Sequence, residues 1–146
     1  MEIDCNSEIE TKNFASKISK KVKKGSVVTL NGDLGAGKTT FTQGFAIGLG
    51  VEQHVGSPTF KLVSEYSGST MKLYHVDCYR LKSIEEFLNL GGENLLLPYD
   101  GVTLIEWANI IEGLIPLDSI NIQFSRFKEN TTKRLLTITG IDELNE

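Results

Sequence analysis

Apolar positions along this chain alternate between two rhythms, short runs of strand type and stretches at helical spacing. Phe14, Ile18 and Val22 line one face of a predicted first helix. Ser7 and Glu10 supply an S-x-x-E capping box at its start, and Gly25 is placed to stop it. Val27-Val28-Thr29-Leu30 is a β-branched run that reads as a buried strand. Phe41, Phe45, Ala46 and Leu49 return to helical spacing, with Gly50 at the expected end. Phe60 to Tyr66 and Met71 to Val76 are strand-like, and the short Ser67-Gly68-Ser69-Thr70 link predicts an antiparallel hairpin.

The second half keeps the same alternation. Leu81 to Leu90 reads as a helix with Ser83 as its N-cap and Gly91-Gly92 beyond its end. Asn94 to Gly101 is irregular or partly helical, turned by Pro98 and Asp100-Gly101. Val102-Thr103-Leu104-Ile105 is another strand, ending on Glu106, and Trp107 to Leu114 a short helix closed by Pro116. Ile120, Ile122 and Phe124 alternate with polar residues, as do Leu136 and Ile138. A turn around Lys128-Glu129-Asn130-Thr131 then gives a half-exposed C-terminal hairpin. No repeat, linker or low-complexity tract interrupts the pattern. The expectation is one α/β domain over residues 1–146, a mixed sheet flanked by helices.

Between the first buried strand and its helix lies Gly32-Asp33-Leu34-Gly35-Ala36-Gly37-Lys38-Thr39, which fits G-x-x-x-x-G-K-[ST] throughout. Glycines let the backbone curl so that several N–H groups converge on phosphate oxygens, and the following helix start favours the same anion. Lys38 can reach the β- and γ-phosphates, and the Thr39 hydroxyl is placed to ligate the bridging Mg²⁺. Strand, loop and helix come in the order a P-loop NTPase requires, so the chain reads as a nucleotide-binding protein. The guanine motif N-K-x-D is absent from the sequence, which leaves ATP as the expected nucleotide.

A second carboxylate completes such a magnesium shell, normally from the end of a neighbouring strand. Glu106 has that position. Asp77, ending the Met71–Val76 run, has two readings: it handles the attacking or metal-held water, or it caps the turn before Tyr79. Thr59 sits in an irregular loop where γ-phosphate sensors occur, and a Pro-Thr pair there is also an ordinary turn. For Trp107 the residues favour packing over a contact surface, and His75 reads as a core or hydrogen-bonding histidine.

Bulk properties narrow the class. A formal net charge of −4 argues against a broad basic face gripping nucleic acid. Lys17, Lys20, Lys21, Lys23 and Lys24 crowd the end of the first helix, where a solvated cluster suits the macrodipole better than an RNA contact. Cys5 and Cys78 match no zinc or redox spacing and read as free thiols in a reducing compartment. With neither a signal peptide nor 18 consecutive apolar residues, the expectation is a cytoplasmic protein.

Four blocks together resemble the bacterial TsaE (YjeE) family: the P-loop through Thr40-Phe41, Ser57-Pro58-Thr59-Phe60, Tyr74-His75-Val76-Asp77-Cys78-Tyr79-Arg80-Leu81, and Leu104-Ile105-Glu106-Trp107. The resemblance spans nearly the whole chain. It implies a Mg²⁺-dependent ATPase of tRNA threonylcarbamoyladenosine synthesis, working with the partner proteins TsaB and TsaD. That assembly modifies the adenosine beside the anticodon of tRNAs reading codons that begin with A, and ATP hydrolysis supports its turnover.

Carried onto this chain, the resemblance puts phosphate on Lys38, Mg²⁺ on Thr39 and Glu106, and Asp77 in the catalytic surroundings. Thr59 falls in a switch-like loop and Trp107 on the face beside the metal. Glu8, Thr11 and Lys133 are expected to border the nucleotide. Cys78 and Gly56 depart from the residues common in the family and read as packing variation. Arg80 is the nearest candidate for an arginine finger, and it lacks a supporting pattern, so weak hydrolysis alone and activation by partners are expected. A small-metabolite kinase and a nucleotide-gated binding module are the alternatives, distinguished by a phosphorylated product and by function without hydrolysis.

Overall fold

The computed structural model describes residues 1–33, 35–56, 62–127 and 129–141. Thr59, Leu34 and the Ser57–Phe60 block lie outside the described residues. Seven strands form one mixed sheet: β1 (Glu2–Cys5), β2 (Val27–Asn31), β3 (Val63–Ser67), β4 (Lys72–Asp77), β5 (Gly101–Glu106), β6 (Ile120–Phe127) and β7 (Asn130–Thr139). Their order across the sheet is β1-β7-β6-β2-β5-β4-β3. The four central strands β6, β2, β5 and β4 run parallel, and antiparallel strands flank them on both sides. Central parallel strands are covered on both faces, which is why β5 is buried at every position.

One face carries α1 (Glu8–Lys21) and α2 (Lys38–Gly48), and Phe14, Ile18, Phe41 and Phe45 pack there against Val28, Leu30, Leu104 and Ile122. The opposite face carries α3 (Ile84–Asn89), α4 (Gly92–Leu95) and a 3-10 helix (Ala108–Leu114), with Phe87, Leu95 and Ile111 against Val76 and Ile105. Ser7 caps α1 by accepting from Glu10 N at 3.2 Å, as the capping box predicts. The helix stops at Lys21, four residues short of Gly25, which instead turns the chain into β2 at φ +93°. The five clustered lysines are all exposed.

Several boundaries differ from the sequence reading. The predicted helix at Leu81 begins only at Ile84, because Ser83 is its N-cap, accepting from Glu86 N at 3.2 Å. Gly91 and Gly92 do not simply end it, since Gly92 opens α4. The helix after Glu106 is 3-10 in type. Strand β1 has no counterpart in the periodicity; it forms by pairing Ile3 with Leu136 across the whole chain. No helix among the described residues is long and apolar enough to cross a membrane.

Helices α1 and α2 approach at Gly44, where an added Cβ would lie 2.4 Å from Lys12 O and 2.5 Å from Lys12 Cα. Gly48 meets Ser16 and Ser19 one turn on. A backbone so close cannot yield cheaply. Gly44→Ala is expected to destabilise by about 1–3 kcal/mol as overpacking. A thermal melt checks it: the midpoint should fall several degrees, at about 2–4 °C per kcal/mol for this size. An unchanged midpoint would show that α1 shifts freely.

Candidate functional site

Parallel strands deliver their C-terminal ends to one edge of the sheet, and the chemistry gathers there. After β2 the chain turns through Gly32-Asp33 into the loop that feeds α2. Gly37, at φ +102°, is the N-cap of α2, a conformation that costs an L side chain and comes freely to glycine. Asp77 and Glu106 end β4 and β5 and are direct register partners. Two carboxylates therefore stand side by side facing the start of α2. A cleft of about 340 Å³ lies between them, lined by Gly35, Gly37, Lys38, Thr39, Thr40, Asp77, Glu106 and Trp107 on one side. Glu8, Thr11, Thr132 and Arg134 close the other.

Lys38 is only 5% exposed, and its Nζ donates to Gly32 O at 2.8 Å and sits 4.0 Å from the centre of the Trp107 ring. Burial holds its ammonium below the usual lysine value, opposed by the charges of Glu106, Asp77 and Asp33. Trp107 takes a left-handed backbone, φ 56° and ψ 49°, at a cost of about 1–2 kcal/mol for a residue with a Cβ. Its ring is held between Lys38 and Tyr79, whose ring centre is 5.0 Å away. Trp107 thus packs, as its residue type suggests, and it packs onto the P-loop lysine.

Asp77 caps its turn: Tyr79 N donates to Asp77 Oδ1 at 2.9 Å. The same carboxyl lines the cleft, so the turn cap leaves it beside the other cleft groups. Burial raises its pKa above the ordinary 3.8, the Tyr79 N–H pulls it back, and Glu106 adds repulsion. A raised native pKa means that ionised Asp77 costs stability, a cost that builds as pH rises through the window above 3.8. Asp77→Asn is therefore expected to melt above the native chain at pH 7, the difference vanishing towards about pH 4. Equal melting at both pH values would contradict this.

The oxygen donors fit a hard divalent cation. The Thr39 hydroxyl and the Glu106 carboxylate share the cleft, and Asp77 adds negative charge beside them. Small cations such as Mg²⁺ take one or two carboxylates with ligand phosphates rather than an all-protein cage. No cluster of three or more His, Cys, Asp or Glu side chains that could hold a metal ion occurs among the described residues.

Not every expected residue reaches the cleft. Gly32 and Asp33 line an adjoining depression that shares Lys38 and Trp107. Ala36 is buried under the loop. Arg80 is exposed and does not line the cleft. Glu8 and Thr11 do line it, brought there by the first turn of α1. Lys133 does not: its Nζ lies 4.6 Å from the Phe127 ring, and its neighbours Thr132 and Arg134 face inward instead. Strand alternation explains the difference, since buried Leu136 and Ile138 fix the inward parity. Counting back from them points to Arg134, a signal present in the sequence.

Arg134 binds the P-loop itself. Its Nε donates to Ala36 O at 2.9 Å and its Nη2 to Gly35 O at 3.1 Å, while Nη1 donates to Lys133 O at 2.9 Å. These bonds tie the P-loop to β7 through two of its carbonyls. Arg134→Ala is expected to weaken nucleotide binding about tenfold, the loss of one charge-assisted pair. Binding equal to that of the native chain, by calorimetric titration, would contradict the clamp.

The chain is similar to known proteins in both sequence and fold. Residues 5–135 match the sequence model of the family described as threonylcarbamoyl adenosine biosynthesis protein TsaE. The tRNA threonylcarbamoyladenosine biosynthesis protein TsaE of Bacillus subtilis is 42% identical over 132 residues, 90% of this chain and 80% of that protein. Its counterpart in Rickettsia bellii is 42% identical over 136 residues, 92% of each. The crystal structure of YdiB from Bacillus subtilis superposes with a TM-score of 0.77 at 36% identity, covering 94% of this chain and 83% of that one.

Proposed function

This chain belongs to the TsaE family of threonylcarbamoyl adenosine biosynthesis proteins, and from that premise we propose that it is a Mg²⁺-dependent ATPase. Its hydrolysis supports turnover of a TsaB–TsaD complex that modifies the adenosine beside the anticodon in tRNAs reading codons that start with A. The observation that carries the reading is a single cleft holding the P-loop helix start, Lys38, Asp77 and Glu106. One sheet edge thus offers phosphate-binding and cation-binding groups to the same ligand.

The triphosphate would lie along the N-terminus of α2, its oxygens taking backbone N–H groups from the glycine-rich loop. Lys38 would leave the Gly32 carbonyl for the β- and γ-phosphate oxygens, swinging from the face of Trp107. Thr39 and Glu106 would hold Mg²⁺, which would supply neutralisation of phosphate charge. Asp77 would orient the attacking water. Glu8, Thr11, Thr132 and Arg134 would border the rest of the nucleotide.

Slow turnover by the protein alone is expected from the lining of the cleft. Its arginine among the described residues is Arg134, whose donors are committed to three backbone carbonyls, while exposed Arg80 and Arg126, the latter beside Gly35, are not part of the lining. Charge on the departing γ-phosphate therefore calls for a partner's contribution, normally a large factor in this chemistry. Phosphate release would be measured for the purified protein alone and with TsaB, TsaD and tRNA. Stimulation by the partners is expected. Rapid turnover in isolation would overturn the partner requirement, and a phosphorylated small molecule in place of free phosphate would overturn the ATPase.

A further inference from the structure

His75 is fully buried on β4, yet it has a role that burial alone does not require. Its strand neighbour in register is Leu104, and it shares the α2-facing side of the sheet with Leu73 and Asp77. Ring Nε2 lies 2.8 Å from Glu106 Oε2. Ring Nδ1 has no hydrogen-bond partner among the described residues. Burying a polar ring with half of its hydrogen-bonding capacity unmet costs free energy that an aliphatic side chain would avoid. Packing therefore does not account for a histidine here.

The contact does account for it. Glu106 is 5% exposed and lines the cleft, so its carboxylate has few water molecules to orient it. A glutamate has three side-chain torsions, and a ligand carboxylate must be held in one of its rotamers to serve a metal. Since Glu106 accepts, Nε2 carries the hydrogen whether the ring is neutral or charged. The hydrogen bond occupies Oε2 and leaves Oε1 to serve the cleft.

We infer that His75 is a positioning residue: its Nε2–H fixes the Glu106 carboxylate in the orientation that completes the cation site. The inference rests on the ATPase reading and specifies how that site is built. It makes a distinction that simple packing does not. Glutamine carries an amide N–H near the position of Nε2, whereas asparagine places one near Nδ1. If the Nε2–H matters, His75→Gln should work and His75→Asn should not.

Mn²⁺ binding to the protein with a non-hydrolysable ATP analogue, followed by electron paramagnetic resonance, is the test. His75→Leu is expected to weaken Mn²⁺ binding about 10–100-fold, the usual effect of removing a partner that orients a metal ligand. Analogue affinity in EDTA should remain that of the native chain. His75→Gln should restore most of the Mn²⁺ affinity, and His75→Asn should resemble His75→Leu. Should the leucine variant misfold, the glutamine–asparagine comparison carries the test. Native-like Mn²⁺ affinity in folded His75→Leu, or equal behaviour of the two amides, overturns the inference alone. Native protein that binds Mn²⁺ no better with the analogue than without it overturns the ATPase reading and the inference together.

Discussion

Lys38→Ala is expected to lower ATP hydrolysis by about 10²–10³-fold, the effect of deleting one preorganised donor from a site of charge development. The lysine is nearly buried before any phosphate reaches it, with its ammonium on the Gly32 carbonyl and the Trp107 face. Phosphate oxygens would take the place of both contacts when the anion enters. Removing Nζ also removes a buried cation that has Glu106, Asp77 and Asp33 around it. The variant should stay folded, because Asp77 is half-exposed in the cleft and Asp33 is exposed beside it, where water can reach both. Phosphate-release kinetics beside a thermal melt check both points, and full activity in a folded variant would contradict the role.

Glu106→Gln comes second. It keeps the size of the side chain and a polar contact for His75 but removes the charge. Hydrolysis is expected to fall at least about 100-fold, since even partners of a metal ligand are worth 10–100-fold. Nucleotide affinity without Mg²⁺ should rise or hold, because one negative charge beside the triphosphate is gone. A titration in EDTA and another in Mg²⁺ separate these effects. A variant that loses affinity in EDTA but keeps its Mg²⁺ response would place Glu106 in a role other than cation binding.

Much of this site is readable from local sequence because the P-loop is a local device. Strand, glycine-rich turn and helix follow one another within 27–48, and each is set by its own residues. Val102–Ile105 is equally plain, a largely apolar, β-branched run of the kind that suits a strand covered on both faces. What sequence order hides is lateral neighbourhood. Asp77 and Glu106 become adjacent only through the β4–β5 register, and the His75–Glu106 contact joins positions 31 apart. Strand β1 is short, lies at an edge and depends on β7, so its residues carry little pattern of their own.

The C-terminal hairpin shows how a one-residue difference matters. Lys133 and Arg134 are both basic, and the resemblance points to Lys133. Strand parity, fixed by Leu136 and Ile138, turns Arg134 onto the P-loop and Lys133 onto Phe127. A shift of one position exchanges the faces of a strand completely.

ATP bound beneath Trp107 through Lys38, with a divalent cation, would draw the lysine away from the ring. Trp107 is the sole tryptophan of the chain, and its ring lies against the lysine. Its fluorescence should therefore report the lysine's departure. An ATP titration in Mg²⁺ is predicted to change the emission saturably, to weaken in EDTA, and to give no change in Lys38→Ala. A flat titration of the native protein, or the same curve from Lys38→Ala, would contradict the account.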